Sequence, residues 1–262
     1  MSARHWHDSR WGTLALGLAF PAALALVWQG AAAKGIIDSG VWASPWLVTK
    51  AVATQVQDPQ FWLDLGASLW RDAQGTVLGI LLGLGAGLAL GRSALARDFF
   101  GPTLDAAKAV PIFTWVPLLA VWLGSGEEGK IAFITLVTAL PVLFNTAEGV
   151  RSLEARHLEL IRLYHLGRLT TFRRVVLPGA GPAILRGVHQ AVLFGWLATI
   201  GAEFLFEAGN GMGTIINGFK ELYALDFVVA DMLAIGLVGI IFDLGFGRIE
   251  KFLLRWREDS SP

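Results

Sequence analysis

The chain has 262 residues, of which 54% are hydrophobic and only 16% charged, and its mean hydropathy is +0.56. These values indicate an integral membrane protein. The formal net charge is zero, so no global field favours a nucleic-acid partner. There is no cysteine, which excludes disulfides, thiolate metal sites and cysteine nucleophiles together.

Six apolar segments are long enough to cross a bilayer, since a spanning helix needs roughly 20 mostly apolar residues. Asp105, Lys108, Pro111 and Pro117 interrupt the third of them. The pattern predicts an all-α integral membrane protein with about six transmembrane helices. The predicted spans are about 12–33, 69–91, 103–123, 131–149, 187–207 and 228–247.

The distribution of basic residues predicts the orientation of these spans. Most of the 21 lysines and arginines fall in alternate connecting segments, which places those segments and both termini in the cytoplasm. Residues 34–68, between the first two spans, are mixed and aromatic, and they predict a short amphipathic helix at the outer membrane surface. The expected regions are 1–68 (tail, first span and surface segment), 69–250 (transmembrane domain with a cytoplasmic loop at 150–186) and 251–262 (cytoplasmic tail).

Glycine recurs every four residues along the second span, which leaves one face of that helix without side chains. A second helix backbone can approach closely along such a face. The alternative is a chance abundance of glycine in a membrane helix. In either case the pattern concerns helix packing and not chemistry. The glycines are Gly75, Gly79, Gly83, Gly87 and Gly91.

No motif in the chain predicts catalysis. Residues 124–130 (GSGEEGK) approach a phosphate-binding loop, but Ile131 replaces the required Ser or Thr, two glutamates would repel phosphate, and no strand precedes them. A tight turn between two spans explains the segment better. The histidines lack metal-site spacing, and no serine lies in a nucleophile elbow. We therefore expect neither an enzyme nor a bound metal or cofactor.

Polar residues in the fifth span are candidates for a translocation pathway. Glu203 is the deepest carboxylate, and intramembrane carboxylates often belong to ion or proton relays. A structural hydrogen-bonding role is an equal alternative for Glu203. His189, Gln190 and Thr199 share the span, where they either line an aqueous passage or contact a neighbouring helix.

Seven arginines crowd residues 151–186, between two apolar segments. This segment cannot lie in hydrocarbon, where each charge costs at least ~2.5–3.5 kcal/mol at mid-helix. Its leucines recur at helical spacing, which predicts an amphipathic helix over about Glu154 to Tyr164. Gly167 is expected to end that helix by a left-handed turn, and Pro178 to stop a second helical piece. Such a bracket suits insertion into a groove of a partner, although an amphipathic helix lying on anionic lipid is the alternative.

The same segment resembles the EAA loop of ATP-binding-cassette importer permeases. Glu159, Val175, Leu177 and Pro178 fall in register with that motif. Two residues replace its alanines, and His165 stands at its usual glycine position. The residues that the resemblance assigns to ATPase coupling are Glu159, Leu160, Ile161, Arg162, His165, Gly167, Arg168, Leu177 and Pro178.

The resemblance covers roughly residues 65–250. Three stretches are similar to the sulfonate, taurine and nitrate subgroup of these permeases, namely residues 111–118 (PIFTWVPL), 196–203 (WLATIGAE) and 209–213 (GNGMG). The resemblance implies the type I (MetI-like) permease fold and a subunit of an ATP-driven, binding-protein-dependent importer for a small anion in the bacterial inner membrane. It further implies a permease homodimer, two cytoplasmic ATPase subunits that bind the ATP, an extracytoplasmic solute-binding protein, and no catalysis by the permease. The alternative from the residues is an ion-driven secondary transporter that uses Glu203 and Asp231.

Overall fold

The computed structural model describes the backbone of residues 10–35, 43–163, 167–206 and 208–255, and the side chains in these ranges except those of 10–16, 18, 154–163 and 168. These ranges are helical and contain no strand. They form two compact units, one of residues 1–61 and 216–234 and the other of 62–215 and 235–262. The helices are α1 (Arg10–Ala33), α2 (Pro45–Gln57), α3 (Pro59–Arg92), α4 (Ala94–Ala109), a 3-10 turn (Ile112–Trp115), α5 (Val116–Leu123), α6 (Glu127–Leu163), α7 (Arg168–Thr171), a π-helical turn (Phe172–Val176), α8 (Leu177–Phe206), α9 (Met212–Glu221) and α10 (Leu225–Leu253).

In the first unit, α2 is the short helix predicted within residues 34–68. It begins where Ser44 caps the first turn, its hydroxyl accepting from the Leu47 amide at 3.3 Å, and Pro45 occupies the first helical position. At the other end of α2, the Gln55 amide donates to Asp231 at 2.8 Å, and both side chains are buried. Asp231 is therefore held by a neutral donor within this unit.

The predicted all-α membrane fold is confirmed, and the described residues contain four or five of the about six predicted spans. Four helical segments there are long and apolar enough to cross a membrane, and a bent pair of helices is a fifth if the pair counts as one span. In α1 the qualifying apolar stretch is a shorter one, Ala19–Ala33. The four segments are Pro59–Arg92, Glu127–Leu153, Leu169–Phe206 and Leu225–Leu253.

The predicted third span, 103–123, is not one straight helix. The segments Ala94–Ala109 and Ile112–Leu123 meet at 102°. The residue before a proline is disfavoured in the α conformation, and Val110, which precedes Pro111, is extended with φ −81° and ψ 122°. The proline that interrupts the apolar pattern thus sets the position of the bend.

The glycine stripe lies along the face of α3 that packs in parallel on α6. A Cβ at Gly75 would meet Ile134, and one at Gly91 would meet Val150, so the contact runs the length of the stripe. At Gly83 a Cβ would lie 2.5 Å from the carbonyl oxygen of Ala139, which is closer than a real Cβ can approach. The two backbones therefore approach as closely as bare glycine allows.

Helices α6 and α8 pack against each other in antiparallel orientation, since the residue numbers of the contacts increase along α6 as they decrease along α8. A Cβ at Gly187 would lie 2.9 Å from Asn145, whereas one at Gly149 would lie 2.6 Å from Ala183. Helix α6 therefore packs on α3 and on α8 at once. It is the central helix of the second unit.

Candidate functional site: a projecting helical hairpin and a buried ionic cluster

Helix α6 is longer than a membrane requires. Its 37 residues extend about 55 Å, whereas the hydrocarbon core is about 30 Å thick. Its apolar part ends at Leu153, and the helix continues without a break to Leu163. Helix α8 and the helical turns before it run back antiparallel to α6. The arginine-rich segment is thus the end of a helical hairpin that projects beyond the apolar part of the spans.

The predicted coupling residues that the structure describes lie on the two arms of this hairpin. Glu159, Leu160, Ile161 and Arg162 belong to the last turns of α6. Their side chains, the whole of His165 and the side chain of Arg168 lie outside the part of the chain that the structure describes. The carbonyl of Gly167 accepts from the Thr171 amide at 2.9 Å, so this glycine begins α7, whereas α6 already ends at Leu163.

The expectation that Pro178 stops a helix is wrong. Leu177 and Pro178 are the first two residues of α8, which continues to Phe206. The preceding residues 172–176 are π-helical, and the Leu177 amide donates to the carbonyl of Phe172, five residues earlier. Proline lacks a backbone amide hydrogen and is tolerated in the first turn of a helix, because an amide hydrogen there would have no partner within that helix. The π turn absorbs the change of register that a proline inside a regular helix would otherwise impose.

The base of the hairpin is fixed by apolar packing onto α3. Val150, Val176 and Ala180 are buried together, and Leu88 and Phe172 pack against them. The Arg92 guanidinium lies 4.9 Å from the centre of the Phe172 ring, a favourable cation–π distance. The base of the hairpin is therefore in packed contact with α3.

A buried ionic cluster joins four elements at the opposite end of α6. Its centre is Glu203, near the end of α8, whose side chain is fully buried. Both carboxylate oxygens accept from the Ser68 hydroxyl, at 2.7 and 2.9 Å, and one accepts from the Gly213 amide at 2.9 Å. Gly213 lies in the first turn of α9, so the carboxylate satisfies an otherwise unpaired amide and complements the helix dipole.

Arg71 of α3 neutralises this carboxylate. One of its terminal nitrogens donates to Glu203, and its other nitrogens donate to both oxygens of Glu127 on α6, at 2.6 and 2.7 Å. The Arg71 side chain is only 3% exposed, whereas that of Glu127 is 55% exposed. Arginine presents a planar fork of donors, which suits two carboxylates at once.

Lys130 and Ser68 attach the connection between α8 and α9 to the same cluster. The fully buried Lys130 ammonium donates to the carbonyl of Ala208, and the Met212 amide donates to Ser68 at 2.9 Å. Gly211 has φ +140°, and a Cβ there would collide with the Glu203 carboxylate. This glycine lets the connection pass directly over the carboxylate.

The other polar residues predicted for a pathway contact three different helices. His189 bonds to Asp243 of α10 at 2.9 Å and stacks on Phe246, and Gln190 accepts from Asn145 of α6 at 3.0 Å. The Thr199 hydroxyl donates to Asp72 of α3 at 3.2 Å. These are the helix–helix contacts that the sequence left open as an alternative, and the three side chains do not converge on one site.

The sequence predictions gave Arg71 and Lys130 no individual role and missed their part in the cluster. One signal was available, because Arg71 lies inside a predicted apolar span and so requires a buried partner of opposite charge. Glu203 was a carboxylate of comparable depth in another span. Nothing in their spacing, 132 residues apart, indicated that they meet.

Comparison with known proteins agrees with this architecture. Residues 75–255 match the family of binding-protein-dependent transport system inner membrane components. The chain is 29% identical over 256 residues to the taurine transport system permease protein TauC of Escherichia coli, covering 96% of this chain and 92% of that protein. It is 32% identical over 236 residues to the putative aliphatic sulfonates transport permease protein SsuC of E. coli, covering 90% and 89%. It is 28% identical over 239 residues to the bicarbonate transport system permease protein CmpB of Synechocystis, covering 87% and 84%.

The chain therefore belongs to the family of binding-protein-dependent transport system inner membrane components. It is a multi-pass inner-membrane permease of an ATP-binding-cassette importer and not an enzyme. Membership in this family implies an ATPase and a solute-binding protein as partners. It does not favour the secondary transporter, which would have used Glu203 and Asp231 as an ion relay.

Proposed function

We propose that this chain imports a small organic anion of the sulfonate or taurine type as one half of a permease homodimer. The relatives named for taurine and aliphatic sulfonates support this substrate class, and the bicarbonate relative is also a carrier of an anion. The observation that carries the proposal is the hairpin of α6 and α8, whose arginine-rich tip projects beyond the apolar spans. A permease that hydrolyses nothing needs such a contact to receive work from ATP.

In this proposal, the residues around Glu159 dock in a groove of the ATPase subunit. Closure of the two ATPases on ATP moves the hairpins, and the bundles rotate as rigid bodies between inward-facing and outward-facing states. The loaded binding protein and ATP stabilise the same state, so each raises the affinity of the other for the complex. The buried ionic cluster supports this mechanism, because it couples α3, α6, α8 and the start of α9 at the end remote from the hairpin.

A charge reversal at the tip tests the docking. We expect Glu159→Arg to abolish co-purification of the ATPase subunit and ATP-driven uptake, because the acidic residue lies in the segment that resembles the EAA loop. Glu221→Arg makes the same change at an exposed position at the end of α9 and should retain both. If Glu159→Arg is poorly expressed, Glu159→Ala provides the same comparison. Normal assembly and uptake in the Glu159 variants would refute docking at this hairpin.

The orientation can be tested because the native chain has no cysteine. We propose that both termini and the hairpin are cytoplasmic, as the arginine distribution predicts. Ser125→Cys, in the exposed turn before α6, should react with a membrane-impermeant maleimide in intact cells. Leu169→Cys, exposed next to the hairpin tip, should react only after the membrane is opened. The reverse labelling pattern would overturn this orientation.

The substrate class is tested by measuring ligand binding to the solute-binding protein. Titration of the cognate solute-binding protein with taurine, ethanesulfonate and bicarbonate should show binding of a sulfonate in preference to bicarbonate. A preference for bicarbonate would reject the sulfonate class and leave the importer architecture intact.

A further inference from the structure

A cavity of about 320 Å³ lies beside the bend in the second unit, between the end of α3, α4 and the middle of α6. Three basic side chains line it, Arg97, Lys108 and Arg151, together with two acidic ones, Asp105 and Glu148. The cavity therefore carries a net positive charge. Its volume exceeds that of a small oxyanion with its first waters.

The bend ends α4 beside this cavity. Residues 108–111 are exposed in the isolated chain, and their backbone leaves the helical hydrogen-bond pattern at Val110. The bend therefore leaves Lys108 exposed at the edge of the cavity.

Lys108 is oriented within the cavity by two contacts. Its ammonium lies 3.6 Å from the centre of the Phe144 ring and donates to Asp105 at 2.9 Å. The ammonium has three N–H donors, and its side chain is 46% exposed. The ring and the carboxylate hold the nitrogen in place, while the exposed side can receive a further acceptor.

The two arginines are only loosely paired. Arg97 lies 3.9 Å from Asp98, and Arg151 lies 3.9 Å from Glu148, both beyond hydrogen-bond distance. Their guanidinium groups have donor pairs whose geometry matches the oxygens of a sulfonate, carboxylate or phosphate. An anion between Lys108 and these arginines would gain charge-assisted hydrogen bonds that the protein itself leaves unmade.

We propose that this cavity binds a small, singly charged oxyanion of the sulfonate type, with Lys108 as its principal contact and Arg97 and Arg151 as secondary donors. The choice of a sulfonate rests on the proposed function, whereas the charge and the geometry of the cavity do not. The headgroup of an anionic lipid has the same chemistry, and the experiment separates the two sources.

The binding test uses the purified complex of the permease with its ATPase subunits in nanodiscs of neutral phosphatidylcholine. The probe is labelled ethanesulfonate at equilibrium. We expect Lys108→Gln to weaken binding at least about tenfold, which corresponds to about 1.4 kcal/mol. Lys108→Arg should retain most of the affinity. Lys50→Gln is the matched control, because Lys50 also lies over an aromatic ring, at 5.3 Å from Trp46, but in the other unit.

A second arm replaces phosphatidylcholine by phosphatidylglycerol and detects retained lipid by native mass spectrometry. Two results together would identify a lipid headgroup as the occupant of the same anion site. Phosphatidylglycerol would displace ethanesulfonate, and it would be retained by Lys50→Gln but lost from Lys108→Gln. Equal binding of both probes to wild type and Lys108→Gln, with Lys108→Arg also unchanged, would overturn the proposal.

ATP-driven uptake, measured separately in the presence of the binding protein, distinguishes this result from failure of the importer. If uptake needs ATP and the binding protein but anion binding does not depend on Lys108, only the proposed anion site in the cavity is rejected. Lys108-dependent binding without any ATP-driven uptake would support the cavity and reject the importer.

Discussion

Neutralising Glu203 should destabilise the permease strongly, and the size of the effect follows from its contacts. Glutamine keeps the shape of the side chain but replaces one acceptor oxygen by a donating NH₂ group. Both oxygens of Glu203 already accept, from Ser68, Arg71 and the Gly213 amide. The NH₂ group of Glu203→Gln must therefore face at least one other donor.

The magnitude combines two costs. Removing one partner of a buried ion pair typically costs 3–5 kcal/mol, and an unsatisfied buried donor costs about 1–3 kcal/mol. Arg71 retains its bonds to Glu127, which limits the first of these costs. We expect a loss of about 3 kcal/mol in the free energy of unfolding. For a chain of this size, that loss lowers the melting temperature by about 6–12 °C.

The assay is thermal unfolding of the purified protein in detergent, followed by the loss of the monodisperse peak in size-exclusion chromatography. Glu221→Gln makes the same chemical change at an exposed glutamate and should melt with the wild type. If Glu203→Gln melts within about 1 °C of the wild type, the cluster is not a stabilising joint. The buried charge of Glu203 would then contribute nothing to the stability of the fold.

Two further predictions concern helix packing. Gly83→Ala should destabilise the protein by about 1–3 kcal/mol, because the new methyl group overlaps the Ala139 carbonyl. The control is Gly85→Ala, which should be neutral or stabilising because a Cβ at Gly85 has nothing within 4 Å. Equal melting temperatures of the two variants would contradict close packing along the stripe. Trp196→Phe should cost about 1–3 kcal/mol, because the buried indole N–H donates to the Ile235 carbonyl at 2.9 Å. Its control is Trp122→Phe at an exposed position, and a similar melting temperature for both tryptophan variants would be inconsistent with that hydrogen bond contributing to stability.

Hydropathy and charge were sufficient to predict a helical integral membrane protein. Runs of apolar residues and the arginine-rich segment predicted a helical membrane protein with a loop outside the bilayer. The resemblance of that loop to the EAA loop implied an importer permease, and the family match confirms this class. The period of four in the glycines predicted a face for a close helix contact, and the structure places α6 on that face. These inferences succeeded because each depends on residues that are near one another in the sequence.

Helix continuity could not be predicted in the same way. The sequence suggested one span at 103–123 and a helix stopped by Pro178, but the chain bends at Pro111 and remains helical through Pro178. Both residues are prolines in apolar surroundings, and the difference lies in the preceding backbone. A π-helical turn precedes Pro178 and the chain stays helical there, whereas Val110 before Pro111 becomes extended. Local sequence does not distinguish these two outcomes.

The sequence by itself determined that this chain spans a membrane and which segment leaves it, because the cost of charge in hydrocarbon acts on each segment separately. Only the tertiary structure decided the partners of the buried charges. Arg71, Lys130 and Glu203 lie far apart in the chain, and their pairing depends on how α3, α6 and α8 pack. The energy of such a pair depends on distances of a few ångströms, which are fixed by helix packing and not by spacing along the chain.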